Sequence, residues 1–219
     1  MGYTSPRAIM FDLDGTLVDT MFLFADLAAE VMARRHGDDP KVARARYLET
    51  SGIPFIKQPA VIHPDHAENQ AASDEFEVSK KEITARTSLD QRTHQALNDL
   101  RERGLRLIVS SNTGQNFVDE FVRGSGQTFD LALGFDETAG IAKGEPHVAA
   151  TCQTLGLSRD EIWFVGDSIK DGELAHECNL SFVGRVGTFT RAEFTLRFPG
   201  VRVVEHPAEL LEMIESCKS

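Results

Sequence analysis

Six short, almost unbroken apolar runs constrain this chain more than any other feature: residues 8–11, 105–109, 131–133, 162–165, 181–183 and 201–204. A strand with one wet face alternates apolar and polar side chains. Near-continuous apolar character over so short a span therefore marks strands buried on both faces, as in a parallel sheet. Helix-like segments lie between the runs. Residues 89–103 place Leu97 and Leu100 on one face and stop at Gly104; residues 145–155 stop at Gly156; residues 171–178 and 207–217 complete the set. Strands alternating with helices predict right-handed βαβ units, hence an α/β fold with a doubly wound parallel sheet.

One stretch breaks the alternation. Residues 21–88 are helical or irregular, with Phe22, Leu23, Leu27, Val31 and Met32 at helical spacing ahead of Gly37. A loop rich in turn formers comes next (Ser51-Gly52-Ile53-Pro54, Pro59, His63-Pro64-Asp65), and residues 76–83 turn helical again. A chain of 219 residues is long enough for one ordinary domain with a modest insertion. The expectation is an α/β core of residues 1–20 and 89–219, with an α-helical cap at 21–88.

Net charge −11 argues against a nucleic-acid partner, whose phosphate backbone needs clustered Lys and Arg. It leaves open a small phosphorylated metabolite, which one metal ion and one lysine can neutralise locally. Cys152, Cys178 and Cys217 are far apart, so reduced thiols are expected rather than disulfides or a zinc site. No apolar run is long enough to span a membrane, and residues 1–7 show no signal-peptide pattern, so no membrane partner and a cytoplasmic location are expected.

In an open parallel sheet, ligands bind beyond the carboxyl ends of the strands, and the segments just past those ends are chemically dense in this chain. Asp12-Leu13-Asp14-Gly15-Thr16 comes after the first strand. Ser110, Ser111 and Asn112 come after the second and are read as opening the next helix. Lys143 stands beyond the third and a loop, and Gly166-Asp167, with Asp171 a helical turn on, beyond the fourth. So many carboxylates are costly together without a cation. Oxygen-only ligands suit Mg²⁺. If the backbone stays extended, Asp12 and Asp14 point the same way. Ser111 at a helix N-terminus would meet phosphate with free N–H groups.

The segment Phe11-Asp12-Leu13-Asp14-Gly15-Thr16-Leu17-Val18-Asp19-Thr20 resembles the first motif of the haloacid dehalogenase-like superfamily. Ser111, Lys143 and Gly166-Asp167-Ser168-Ile169-Lys170-Asp171 stand where the family's other motifs would, in its order. The resemblance implies a Rossmann-like core with a cap inserted between the first two motifs, and a Mg²⁺-dependent phosphatase working through a phospho-aspartate. Asp12 would attack phosphorus; Asp14 would protonate the leaving oxygen and then activate water. Thr16, Ser111, Asn112 and Lys143 would hold the phosphoryl group. Asp12, Asp167 and the Asp14 backbone carbonyl would bind the metal, with Asp171 supporting it by orienting metal-bound water or Lys143. Dehalogenases carry a bulky neutral residue in place of Asp14, and phosphonatases lack that acid, so phosphate-ester chemistry is implied, with a sugar-phosphate mutase as the alternative and a non-catalytic binding protein behind it. Lys143-Gly144-Glu145-Pro146 departs from the family's Lys-Pro-x-Pro, which loosens the loop and adds charge near the lysine.

Several residues have plainer readings. Ser110 is a structural neighbour of Ser111, Asp19 caps the first cap helix, and Trp163 is core. His63 and His66, separated by a proline, form a solvated loop rather than a metal site. Lys57, Arg44 and Arg46 read equally well as solvated cations and as groups facing the site.

Overall fold

A computed structural model describes residues 4–51, 53, 55–136 and 138–217. Gly52 and Pro54 of the expected turn-rich loop lie outside these residues, as do residues 1–3. Chain contacts divide the molecule into one unit of Met1–Val18 with Ser88–Ser219 and a second of Asp19–Thr87.

The first unit contains β1 (Ala8–Phe11). In the second unit come α1 (Met21–His36), α2 (Pro40–Glu49), a 3-10 turn, α3 (Gln58–Ile62) and α4 (Asn69–Ala85). The chain then returns through α5 (Gln91–Glu102), β2 (Arg106–Gly114), α6 (Gln115–Gly124), β3 (Leu131–Phe135), α7 (Glu145–Leu155) and β4 (Ile162–Gly166). It ends with α8 (Ile169–Glu177), β5 (Ser181–Arg185), α9 (Arg191–Arg197), β6 (Arg202–Val204) and α10 (Leu210–Ser216). The strands form one sheet in the order β3-β2-β1-β4-β5-β6, every pairing parallel. This is the expected doubly wound α/β fold.

The apolar runs are continuous because both faces are covered. Ile9, Phe11, Leu107, Val109, Trp163 and Val165 face one cluster with Leu97 and Leu100 of α5, Phe121 of α6 and Leu210 of α10. Ala8, Met10, Ile108, Ile162 and Phe164 face the other, with Val148 of α7, Ala175 of α8 and Phe194 of α9. Alternate residues of each strand thus serve opposite cores.

The second unit has its own core, centred on Phe24, Val31, Met32, Tyr47, Phe55 and Phe76. α1 ends where Gly37 turns left-handed, as its position predicts. Two expectations fail here. The N-cap of α1 is Thr20, not Asp19. His63 is not simply solvated: its ring stacks on His36 at 4.4 Å and its Nε2 meets Asp38 Oδ2 at 2.8 Å. The two rings lie within 7° of parallel, so one metal ion could not sit in both ring planes. No helix among the described residues is long and apolar enough to cross a membrane.

Candidate active site

Register brings the chemistry together. Phe11 pairs with Val109 on one side and Val165 on the other, so Asp12, Ser110 and Gly166 stand level at the carboxyl edge of the three central strands. β1 lies where the strand order reverses, the place where an open sheet leaves a crevice.

Leu13 is buried in the core and divides two carboxylates with different surroundings. Asp12 is buried, its backbone N–H donating to the Val165 carbonyl at 2.9 Å. Asp14 is half-buried, and Oδ2 accepts a 2.6 Å hydrogen bond from the Thr113 hydroxyl. The Lys143 ammonium is buried between Asp12 Oδ1 at 2.7 Å and Asp171 Oδ1 at 2.6 Å. Asp171 occupies the first turn of α8 and closes a capping box with Ser168. Its Oδ2 accepts from the Ser168 N–H and hydroxyl, so both of its oxygens are held. Asp167, also buried, accepts a hydrogen bond from the Thr188 hydroxyl in the loop after β5.

Asp12, Asp167 and Asp171 each offer an oxygen within 4.8 Å of the others. Three carboxylates against one ammonium leave an excess of buried negative charge. Burial first, and the neighbouring carboxylates after it, push the Asp12 carboxyl up to about 7 against the pull of Lys143. Asp167 is raised well above its ordinary value for the same reasons. Burial alone would lower the Lys143 ammonium, but Asp12 and Asp171 outweigh it and hold the charge in place. A divalent cation among these oxygens relieves the excess, so the donor set fits an oxygen-binding metal ion.

The Thr16 hydroxyl is buried with no hydrogen-bond partner among the described residues. A buried hydroxyl in that state is an unspent donor awaiting an acceptor. Ser111 Oγ accepts the Thr113 N–H at 3.0 Å, which does not consume the hydroxyl's own proton.

Ser111 corrects an expectation. It does not open a helix: β2 runs on to Gly114 and α6 starts at Gln115. The β2–β3 ladder steps from Ser110↔Leu133 to Gly114↔Phe135, so Ser111, Asn112 and Thr113 oppose the single residue Gly134. This bulge brings Thr113 to Asp14 and Asn112 to Lys143, and it gives Ser111 no helix N–H groups. Asn112 holds the lysine loop, its Oδ1 accepting the Lys143 N–H at 3.3 Å. The departure at Gly144 has a physical reason: its φ of 126° is closed to proline. Glu145 turns away to Arg159, 2.5 Å distant on the surface, so its charge is already paired.

Thr113 and Thr188 are the functional side chains that sequence reading missed. A hydroxyl after a strand was the available signal, and Thr113 lies two residues past Ser111. Arg44 pairs with Asp26 inside the second unit.

Residues 9–185 match the sequence profile of the haloacid dehalogenase-like hydrolases. The chain is 23% identical over 216 residues to an N-acetylmuramic acid 6-phosphate phosphatase of Pseudomonas putida, covering 96% of each. It is 26% identical over 222 residues to a phosphoglycolate phosphatase of Pectobacterium atrosepticum, covering 96% of this chain and 93% of that one. Its fold superposes on a haloacid dehalogenase-like family hydrolase from Streptococcus pneumoniae with a TM-score of 0.75 at 20% identity, over 95% of this chain and 98% of that one. With four-fifths of its length matched by one family profile, this chain belongs to the haloacid dehalogenase-like hydrolases.

Proposed function

We propose that this hydrolase removes phosphate from a small phosphomonoester through a covalent phosphoryl group on Asp12. The observation that carries the reading is the unequal placing of two carboxylates two positions apart. Asp12 is buried against the Lys143 ammonium, while Asp14 is held off on the Thr113 hydroxyl. A nucleophile and a proton carrier need such different surroundings.

In the first step an Asp12 oxygen forms a bond to phosphorus as the bond to the leaving oxygen breaks, and Asp14 gives that oxygen its proton. In the second, Asp14 takes a proton from water, whose oxygen attacks phosphorus and frees Asp12. Lys143 and the hydroxyls of Thr16 and Ser111 stabilise the negative charge on the transferring group. Asp12, Asp167 and the Asp14 carbonyl would hold Mg²⁺, with Asp171 in support, and the ion would supply the positive charge that Lys143 alone cannot.

Relatives named for N-acetylmuramic acid 6-phosphate and phosphoglycolate support a small phosphorylated metabolite as substrate. The test is inorganic phosphate release from a panel holding both compounds and several sugar phosphates, with Mg²⁺ and with chelator. Wild type is expected to release phosphate only with Mg²⁺, and Asp12→Asn not at all. Release by Asp12→Asn at the wild-type rate would refute the covalent route. Isomerisation of a sugar phosphate without release would replace the hydrolase by a mutase.

A further inference from the structure

One buried titratable group beside this site has no part in the chemistry above. His147, on the first turn of α7, is 1% exposed. Its Nε2 lies 3.2 Å from the Gly134 carbonyl of β3, and its Nδ1 lies 2.9 Å from Ser110 Oγ of β2. A carbonyl can only accept, so Nε2 carries the proton; in the neutral ring Nδ1 is then the acceptor, and the Ser110 hydroxyl donates to it.

The place where this ring sits matters more than its chemistry. The β2–β3 ladder loses register between Ser110 and Gly114, and the three residues expelled there are the site's Ser111, Asn112 and Thr113. His147 bonds to Ser110, the last residue before the bulge, and to Gly134, the one residue that faces it. The Gly134 N–H donates to Gln115 Oε1 at 2.6 Å, just beyond the bulge. Packing is tight at this point: a Cβ on Gly134 would come 2.6 Å from Gln115 Cα and 2.9 Å from the Thr113 carbonyl. Four residues before His147, on the approach to the same helix, stands Lys143.

We propose that His147 is a positioning residue: as a two-sided hydrogen-bonding wedge it fixes the bulge that presents Ser111, Asn112 and Thr113, and it ties that bulge to the helix following Lys143. The kinetic half of this inference rests on the phosphatase reading; the structural half does not. Burial holds the ring's pKa down to about 4, so it stays neutral and keeps both bonds across the working pH range.

The test compares wild type with His147→Phe, which fills the space without either bond, and with His147→Gln, which keeps a donor for Gly134. Three quantities are read on the full chain: amide hydrogen exchange in β2, kcat and KM for p-nitrophenyl phosphate, and inhibition by orthovanadate. In His147→Phe, exchange at residues 111–114 is expected to quicken while β4 stays protected. Its kcat should fall about 10-fold to 100-fold, with vanadate inhibition weakened by a similar factor, because small displacements of aligned groups are costly. His147→Gln should recover part of both losses. Ser110→Ala should give a smaller loss of the same kind, and in a double variant with His147→Phe it should add nothing. A lower kcat with unchanged KM, vanadate inhibition and exchange would mean only fewer folded molecules, and would overturn the inference. Should His147→Phe not fold, Ser110→Ala and His147→Gln decide by the same three readouts. A wild type that releases no phosphate sinks the phosphatase reading, while exchange at the bulge still decides whether His147 holds it.

Discussion

At the scale of single residues, the site depends on hydroxyls that hold carboxylates. The Thr113 hydroxyl fixes Asp14 at 2.6 Å, and the Thr188 hydroxyl bonds to Asp167. Thr113→Val keeps the shape and removes the bond, so Asp14 loses its fixed direction. With Asp14 the proton carrier proposed above, we expect kcat to fall about 10-fold to 100-fold with little change in KM, because such a proton transfer belongs to the transition state. A matched rise in KM with kcat intact would assign Thr113 to substrate binding instead. With Asp167 a metal ligand as proposed, Thr188→Val should act on metal affinity, since removing a group that orients a ligand typically weakens binding about 10-fold to 100-fold. A Mg²⁺ titration followed by thermal unfolding measures this without any substrate, and an unchanged midpoint would count against it. Neither threonine was legible in the sequence, although Asp12, Asp14, Lys143, Asp167 and Asp171 were. The carboxylates and the lysine stand at fixed offsets from strand ends. A hydroxyl just past a strand was the only local signal, and which carboxylate it meets, here one 99 residues away, is chosen by tertiary placement.

At the scale of elements, strand positions were legible because burial on both faces writes itself into composition, and Ala8–Phe11 matches its apolar run to the residue. The polar end of β2 was not, because the ladder with β3 resumes at Gly114 after a bulge, which carries the strand past its apolar residues. The helix after it was expected to open at Ser110 to Asn112, so its start at Gln115 was misplaced, though Phe117, Val118, Phe121 and Val122 have helical spacing. Two helical glycines turn this contrast between local and tertiary forces into a measurement. Alanine is favoured over glycine inside a helix by about 1 kcal/mol. At Gly124, near the end of α6, a Cβ would meet nothing within 4 Å, so Gly124→Ala should stabilise by up to about that amount. At Gly172 in α8 the same atom would lie 2.3 Å from the Phe198 ring and 2.9 Å from the Phe182 ring. Overpacking of this kind costs about 1–3 kcal/mol, which exceeds the propensity gain. Gly172→Ala should therefore unfold at a lower temperature than wild type and Gly124→Ala at a higher one. Equal shifts would mean that the Phe198 ring moves aside freely.

For the molecule as a whole, the buried ionisable groups set opposing pH dependences, and on the proposed function a metal ion would decide between them. Asp12 has its pKa raised from 3.8 to about 7 by burial and its carboxylate neighbours, and Asp167 shifts the same way. Over that interval the folded chain holds protons that the unfolded chain has lost. The stability from these groups is thus fully present below the ordinary carboxylate pKa and is lost as pH rises through the folded value. His147 has the reverse sign: its pKa is lowered from 6.5 to about 4, so its contribution is present above the ordinary value and is lost as pH falls from there. In chelator the histidine contribution is complete above its ordinary value of 6.5, so from there the aspartates act alone and stability should decline as pH rises through about 7. Bound as proposed, saturating Mg²⁺ would keep the carboxylates ionised in the folded state as they are in the unfolded state, which removes their decline and leaves the histidine's rise. The gain in melting temperature on adding Mg²⁺ should therefore grow with pH, reaching several degrees near about pH 8, where a shift of one pKa unit corresponds to about 1.4 kcal/mol. Asp12→Asn removes one of the two declining contributions. It should flatten the curve in chelator and unfold at a higher temperature than wild type at the alkaline end. Thermal unfolding of both proteins across this range, with and without Mg²⁺, measures all of these at once. A Mg²⁺ effect of the same size at every pH would show that the ion binds away from Asp12 and Asp167.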